Sequence, residues 1–184
     1  MSDSLVLYAQ PIRGRACGAC QVCCEQISVH EIGKEAGVKC RHQFSKGCRI
    51  YAKRPISCQY WSCRWLYDPD AAGLRRPDIS GYMVDPKPED LIVDGRVQFA
   101  LPVWIDPKRP DAHQAPELRA YLEIVAVKYR MPAMIRLTPH DGWVLVPPQL
   151  VAHGEWMEIR LEGQAPLPPD EFRAALAAAR KSAT

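Results

Sequence analysis

Eight cysteines stand between residues 17 and 63, and residues 64–184 have none. They are Cys17, Cys20, Cys23, Cys24, Cys40, Cys48, Cys58 and Cys63. Such crowding marks one local constellation, where buried thiols used only for packing would be scattered. A disulfide framework needs an oxidising compartment. The first sixteen residues hold only the short apolar patch Leu5–Ala9, with no basic stretch before it. That is not a secretory signal, so the expectation is a reducing cytoplasm with free thiols. Inert cysteines acting as small hydrophobes do not fit the spacing C-x2-C-x2-C-C. Metal or cluster ligation does. A C-x2-C turn lets two thiolates converge on one ion, and soft sulfur suits zinc, copper(I) and iron–sulfur clusters.

The adjacent pair Cys23-Cys24 adds a constraint. Neighbouring side chains diverge in regular backbone. One tetrahedral ion is therefore poorly served by both, and the two are expected to serve different metals or different tasks. Eight thiolates fill two four-sulfur sites, or one cluster with thiols to spare.

Charge is distributed to match. Residues 13–65 carry ten basic side chains and three acids, a local balance of +7, and the rest of the chain is at −4. Thiolate centres with a divalent ion are anionic, and nearby cations offset that charge. The same cations can also present a basic face to an acidic protein partner. The whole chain is only +3, too little to argue for nucleic acid or a membrane surface. No run of 18 apolar residues is present, so no spanning helix is expected.

Between the ligands the local signals are short. Ser28-x-x-Glu31 has the form of a capping box and Gly37 that of a left-handed stop, which predicts a helix over residues 29–36. His30 and His42 are good ligand types, but eight thiolates already complete the count, so both are expected outside the ligand set. Glu31 is expected to cap the helix and Glu25 to be exposed. Pro55 suits a helix start, making 55–66 helical. Cys58 and Cys63 would then stand about 140° apart around it. Either that helix ends between them or they address different metals. Tyr60, Trp61, Trp65 and Tyr67 are expected to wall the site from water.

With these residues in hand a resemblance can be stated. The run Cys17-x2-Cys20-x2-Cys23-Cys24, a short helix, then Cys48-x-Ile50-Tyr51-x2-Arg54-Pro55-x2-Cys58 and a last Cys63 resembles the CxxCxxCC family. These are zinc- or iron-chelating, YkgJ-type cysteine-cluster proteins of bacteria. All eight family cysteines have counterparts here. The likeness covers about residues 17–65 and departs at Gln59, where arginine is expected after Cys58. It implies metal binding through all eight cysteines. Some of that family are flagellin lysine N-methylases, which are larger and share only the cysteine core, so that activity does not carry over to a chain of this size.

Beyond residue 66 the pattern changes. Residues 66–80 are rich in Pro, Asp and Arg and look like a connector. Apolar or alternating runs follow at 81–84, 91–93, 97–105, 134–137, 143–146 and 156–161, with Asp94-Gly95 as a hairpin turn. Leu118, Tyr121, Leu122, Val125 and Tyr129 recur at helical spacing between Pro116 and Pro132. A final Ala-rich helix is expected over 169–180. His113, His140 and His153 are isolated and are expected in loops or at the surface. Asp85, Asp94, Asp106 and Asp141 sit where turn chemistry explains them.

The expected fold is therefore α+β: a cysteine-rich metal-binding module over residues 1–66, then a small antiparallel sheet with one or two helices over 67–184, packed against it. Its own apolar content is meagre, so metal should supply much of the module's folding free energy, on the order of 10 kcal/mol per structural zinc. The expected function is chelation of zinc or iron, structural or in metal handling. Two alternatives stand beside it. One is an enzyme built on an iron–sulfur cluster, since C-x2-C-x2-C is part of a ferredoxin run without its C-x3-C-P continuation. The other is a zinc adaptor for a protein or nucleic-acid partner. Thiolates suit zinc and iron alike, so the residues do not choose between them.

Overall fold

Period-two alternation makes the strands, and here both faces of the alternation are covered. In a computed structural model, residues 11–45, 47–93, 96–151 and 154–161 are described. The main sheet is built from β3 (Tyr82–Val84), β4 (Glu89–Val93), β5 (Arg96–Ile105), β6 (Ala133–Arg136), β7 (Gly142–Val146) and β8 (Met157–Leu161). Its order is β3-β5-β6-β7-β8, with β4 paired to the first half of β5. The expected hairpin forms, Val93 facing Arg96; its turn, with Asp94, lies outside the described residues.

Along β5, Leu101, Val103 and Ile105 point to one face with Tyr82, Val84, Ala133, Ile135 and Leu145. Ala100 and Trp104 belong to the other face, as do Met83, Met134, Val144 and Val146. Covering both faces explains why these strands read as nearly continuous apolar runs.

The sheet is mixed, not antiparallel throughout as expected. β5 and β6 run parallel, Leu101 beside Ala133 and Trp104 beside Arg136. The connection between them carries α5 (Pro116–Tyr129). A parallel pair needs such a crossover, and a helix laid across the sheet supplies it. Leu118, Tyr121, Leu122 and Val125 of α5 are buried as their spacing predicts, joined by Ala126. Tyr129 is not: it is 53% exposed. The helix stops at Arg130, which is left-handed at φ 55°, and Met131 takes the buried place on the way into β6.

Residues 66–80 are not a loose connector. They form α3 (Arg64–Tyr67), a 3-10 turn at Pro69–Gly73 and α4 (Pro77–Ser80). Ala71 and Leu74 enter the α5 side of the core. Asp68 is buried, and its Oδ1 accepts from the Asp70 amide at 3.0 Å.

His113 is also buried, against expectation. Its Nδ1–H donates to the Pro110 carbonyl at 2.8 Å and its ring stands edge-on to Trp143, centroids 4.6 Å apart. The turn roles of Asp85 and Asp106 are seen directly: each Oδ1 accepts an amide two residues on, from Lys87 and Lys108, at 3.0 Å. Asp141 turns through its backbone, its amide donating to Thr138 Oγ1 at 3.0 Å. His140 is exposed. His153 and the expected helix at 169–180 lie outside the described residues. Among the described residues no helix is long and apolar enough to cross a membrane.

Candidate metal centre

Short pieces of backbone, each closed by a few hydrogen bonds, carry the cysteines, with Cys23 and Cys63 packed against the Met83 and Trp104 face of the sheet. The entering chain is strapped down first. Ile12 N–H donates to the Leu66 carbonyl at 2.9 Å. The Arg15 guanidinium donates to the carbonyls of Trp65, Ala71 and Ala72 and stacks over the Trp65 ring. The Cys20 amide donates to the Cys17 carbonyl at 2.9 Å, closing the C-x2-C turn. α1 (Val22–Gln26) then carries Cys23 and Cys24.

The next segment folds back on α1. Gly37 N–H donates to the Gln26 carbonyl at 3.1 Å and Cys40 N–H to the Cys24 carbonyl at 2.9 Å. Cys40 thus lies beside Cys24. The expected helix at 29–36 does not form. A 3-10 turn spans His30–Ile32, Gly33 rather than Gly37 stops it at φ 62°, and Val29 pairs with Lys34 across it. The reason is that Glu31 does not cap. Its carboxylate accepts from the amide and hydroxyl of Ser57, at 2.9 and 2.8 Å, and so ties this turn to the segment of Cys58.

A two-stranded hairpin, β1 (Gln43–Phe44) and β2 (Gly47–Cys48), places Cys48 opposite Gln43. The Gln43 amide bonds the Cys40 carbonyl at 3.0 Å. Cys58 lies in α2 (Ile56–Tyr60) and Cys63 directly precedes α3. The helix expected over 55–66 therefore breaks between the two cysteines.

Electrostatic reach links the thiols in two overlapping sets. Cys17 and Cys20 lie within electrostatic reach of both Cys23 and Cys63. Cys24 and Cys40 lie within reach of Cys58. The adjacent pair is the junction: the mutual interaction of the two thiols pushes Cys23 up and holds Cys24 down to about 7. Cys17 also senses Cys24. Cys48 is half-buried in its hairpin beside the Cys40 segment.

Burial sets the remaining thiols. It pushes Cys63 up to about 12 and raises Cys17, Cys20 and Cys58. Cys63 is the buried member, packed with Leu66, Met83 and Trp104 on the sheet, with Cys23, Trp61 and Trp65 against them. Trp61 and Trp65 thus shield this side as expected, but Tyr60 is 56% exposed. His30 is exposed, and His42 Nε2 accepts from Arg41 Nε at 3.3 Å. Glu25 is exposed, bonded to Gln43 Nε2 at 3.0 Å.

Two features escaped the sequence reading. Arg76 holds the Asp78 carboxylate bidentately, at 2.6 and 2.8 Å, and keeps it below the usual carboxylate range. Asp78 and Cys20 influence each other's protonation, so α4 lies within electrostatic reach of Cys20. Lys34 is buried within electrostatic reach of the second set, and burial holds its ammonium below the usual lysine range. A lysine within the cysteine segment was the one available signal for it.

Among the described residues, no three His, Cys, Asp or Glu side chains are set close enough to hold a metal ion as they stand. Eight free thiols are the side chains on offer here, with Arg54 and Arg76 near Cys17 and Lys34 near Cys24. Comparison of the chain with protein-family models, with curated proteins and with solved structures gives no match.

Proposed function

We propose that this is a zinc- or iron-chelating protein whose eight cysteines hold metal in two sulfur centres. Cys17, Cys20, Cys23 and Cys63 make one, and Cys24, Cys40, Cys48 and Cys58 the other. The observation that carries the reading is the split at the adjacent pair. Cys23 keeps company with Cys17 and Cys20, while Cys24 lies beside Cys40 and Cys58. Four thiolates complete a structural zinc site. They equally hold an iron–sulfur cluster.

The role that fits a centre wedged between the sheet and loops of little regular structure is structural or in metal handling. A bound metal would hold together short segments that otherwise meet through isolated hydrogen bonds and one small apolar cluster around Cys63, and its binding free energy would be folding free energy. A cytoplasmic setting follows from the same reading, since it needs reduced thiols.

Metal analysis with an optical spectrum, on protein purified without oxygen, tests it. Two colourless zinc ions per chain support the structural reading. A brown preparation with iron and labile sulfide moves the reading to a cluster protein. Protein free of metal, with its thiols paired as disulfides, refutes chelation.

A further inference from the structure

Lys34 is only 7% exposed, and lysine is almost never buried without a counter-charge. Its Nζ donates to three backbone carbonyls, those of Glu25, Ile27 and Glu35, at 3.2 Å, a shorter contact and 3.1 Å respectively. Three acceptors need three N–H bonds. A neutral amine has two, so this geometry is that of the ammonium ion. Carbonyls solvate the charge without neutralising it. Among the described residues no carboxylate stands within ion-pair distance of Nζ. The Glu25 side chain turns instead to Gln43. Its Nζ sits on the carbonyl of Glu25, the residue after Cys24, whose own carbonyl accepts from the Cys40 amide, and the anionic groups within its electrostatic reach are the thiols of Cys40, Cys24, Cys23 and Cys58.

A buried cation without an anion is strongly unfavourable. Thiolates around a metal supply one, because a divalent ion in four thiolates is a dianion. Resting on the chelation reading above, we infer that Lys34 is the built-in counter-cation of the Cys24, Cys40 and Cys58 centre, a positioning residue that favours its fully thiolate, metal-bound form. Among the described residues the other centre has no buried cation of this kind: Arg54 and Arg76, the cations near Cys17, are only half-buried, Arg54 donating to the Cys58 and Tyr51 carbonyls and Arg76 paired with Asp78. Lys34 thus makes the two centres electrostatically unequal.

The test compares wild type with Lys34→Met, Lys34→Gln and Lys34→Arg on full-length protein loaded with zinc. Graded chelator is added and the metals left on each chain are counted by native mass spectrometry. Far-UV circular dichroism checks folding in parallel. In Lys34→Met and Lys34→Gln one of the two metals should bind about 10–100-fold more weakly, the range for groups that support a ligand shell, while the other is unchanged. Lys34→Arg, which keeps the charge, should retain more of the second metal than either. The inference is overturned if Lys34→Gln holds both metals like wild type, since hydrogen bonding alone then suffices. It is overturned equally if both metals weaken together, or if Arg behaves as Met, since Lys34 is then a prop for the fold. A wild type that takes up no zinc removes the chelation reading itself, and this inference with it.

Discussion

The hydroxyl of Tyr121 donates a 2.7 Å hydrogen bond to Asp68 Oδ2, joining α5 to the segment just after the last cysteine across 53 residues of chain. The same carboxylate oxygen accepts from Arg64, which directly follows Cys63, at 3.1 Å. Arg64 also donates to the carbonyls of Asp85 and Pro86 beyond β3. One buried polar network therefore connects the cysteine segment, the helix and the sheet. Within such a network a lost partner leaves a buried group unsatisfied.

Replacing Tyr121 with Phe removes that donor and keeps the ring. Arg64 still faces Asp68, so the expected loss is on the order of 1–3 kcal/mol. Denaturant unfolding of the two proteins measures it. An unchanged midpoint would show that the bond contributes nothing net.

Cys23→Ser and Cys24→Ser should differ. The two thiols are adjacent but keep different company, so each variant should lose or weaken a different metal. Metal counts for each, with site-resolved thiol alkylation under chelator, give the answer. If both variants lose the same single metal and keep all else, the two-centre reading is wrong.

Asp85 makes stability depend on pH in the unusual direction. It is 9% exposed, and burial raises its carboxyl above the usual range. The Trp61 and Trp104 indoles oppose that shift, although the Trp104 N–H does not reach hydrogen-bond geometry with any partner among the described residues. A carboxyl raised in the folded state holds its proton more tightly there than in the unfolded chain. Its contribution is fully present below the unfolded value and is lost as pH rises through the folded one. Asp85→Asn keeps an oxygen for the Lys87 amide and drops the charge. It should be the more stable protein at neutral pH, with the difference closing on acidification. Denaturant titrations at several pH values check this, and a gap constant from neutral to acid contradicts it.

Removal of metal should loosen more than the cysteine segment. Cys63 and Leu66 pack on Met83 and Trp104 of the sheet. Hydrogen exchange after chelation should lose protection over residues 17–63 and at β3, while β6 and β7, buried under α5 and paired on both sides, keep theirs. Acid should act like chelator, because protons compete for thiolates. Unchanged protection at 17–63 would mean that metal does not order them.

Gly142 opens β7 opposite Arg136. A Cβ there would stand 2.0 Å from the Ile135 carbonyl oxygen, a backbone atom that cannot turn aside. Gly142→Ala should therefore destabilise by on the order of 3 kcal/mol, the upper end for overpacking. A thermal or denaturant midpoint near wild type would show that the β6–β7 pair opens easily.

By itself the sequence determined what is local. The crowding of cysteines, the strand alternation, the Asp85 and Asp106 turns and the buried stripe of α5 all follow from residues close in the chain, where spacing and side-chain geometry decide. The tertiary structure decided whatever depends on distant partners. Glu31 is free to cap its own turn or to reach Ser57, and Ser57 wins because the fold brings it there. β5 and β6 run parallel because α5 crosses the sheet between them. Residues 66–80 carry the marks of a loop, yet Ala71 and Leu74 are buried under α5. His113 reads as a loop or surface residue and Lys34 as one cation among ten, yet both are buried and donate to backbone carbonyls. The company that Cys23 and Cys24 keep is of the same kind. Adjacency dictates that their side chains diverge, but which thiols each one meets depends on where the returning chain lays Cys40, Cys58 and Cys63.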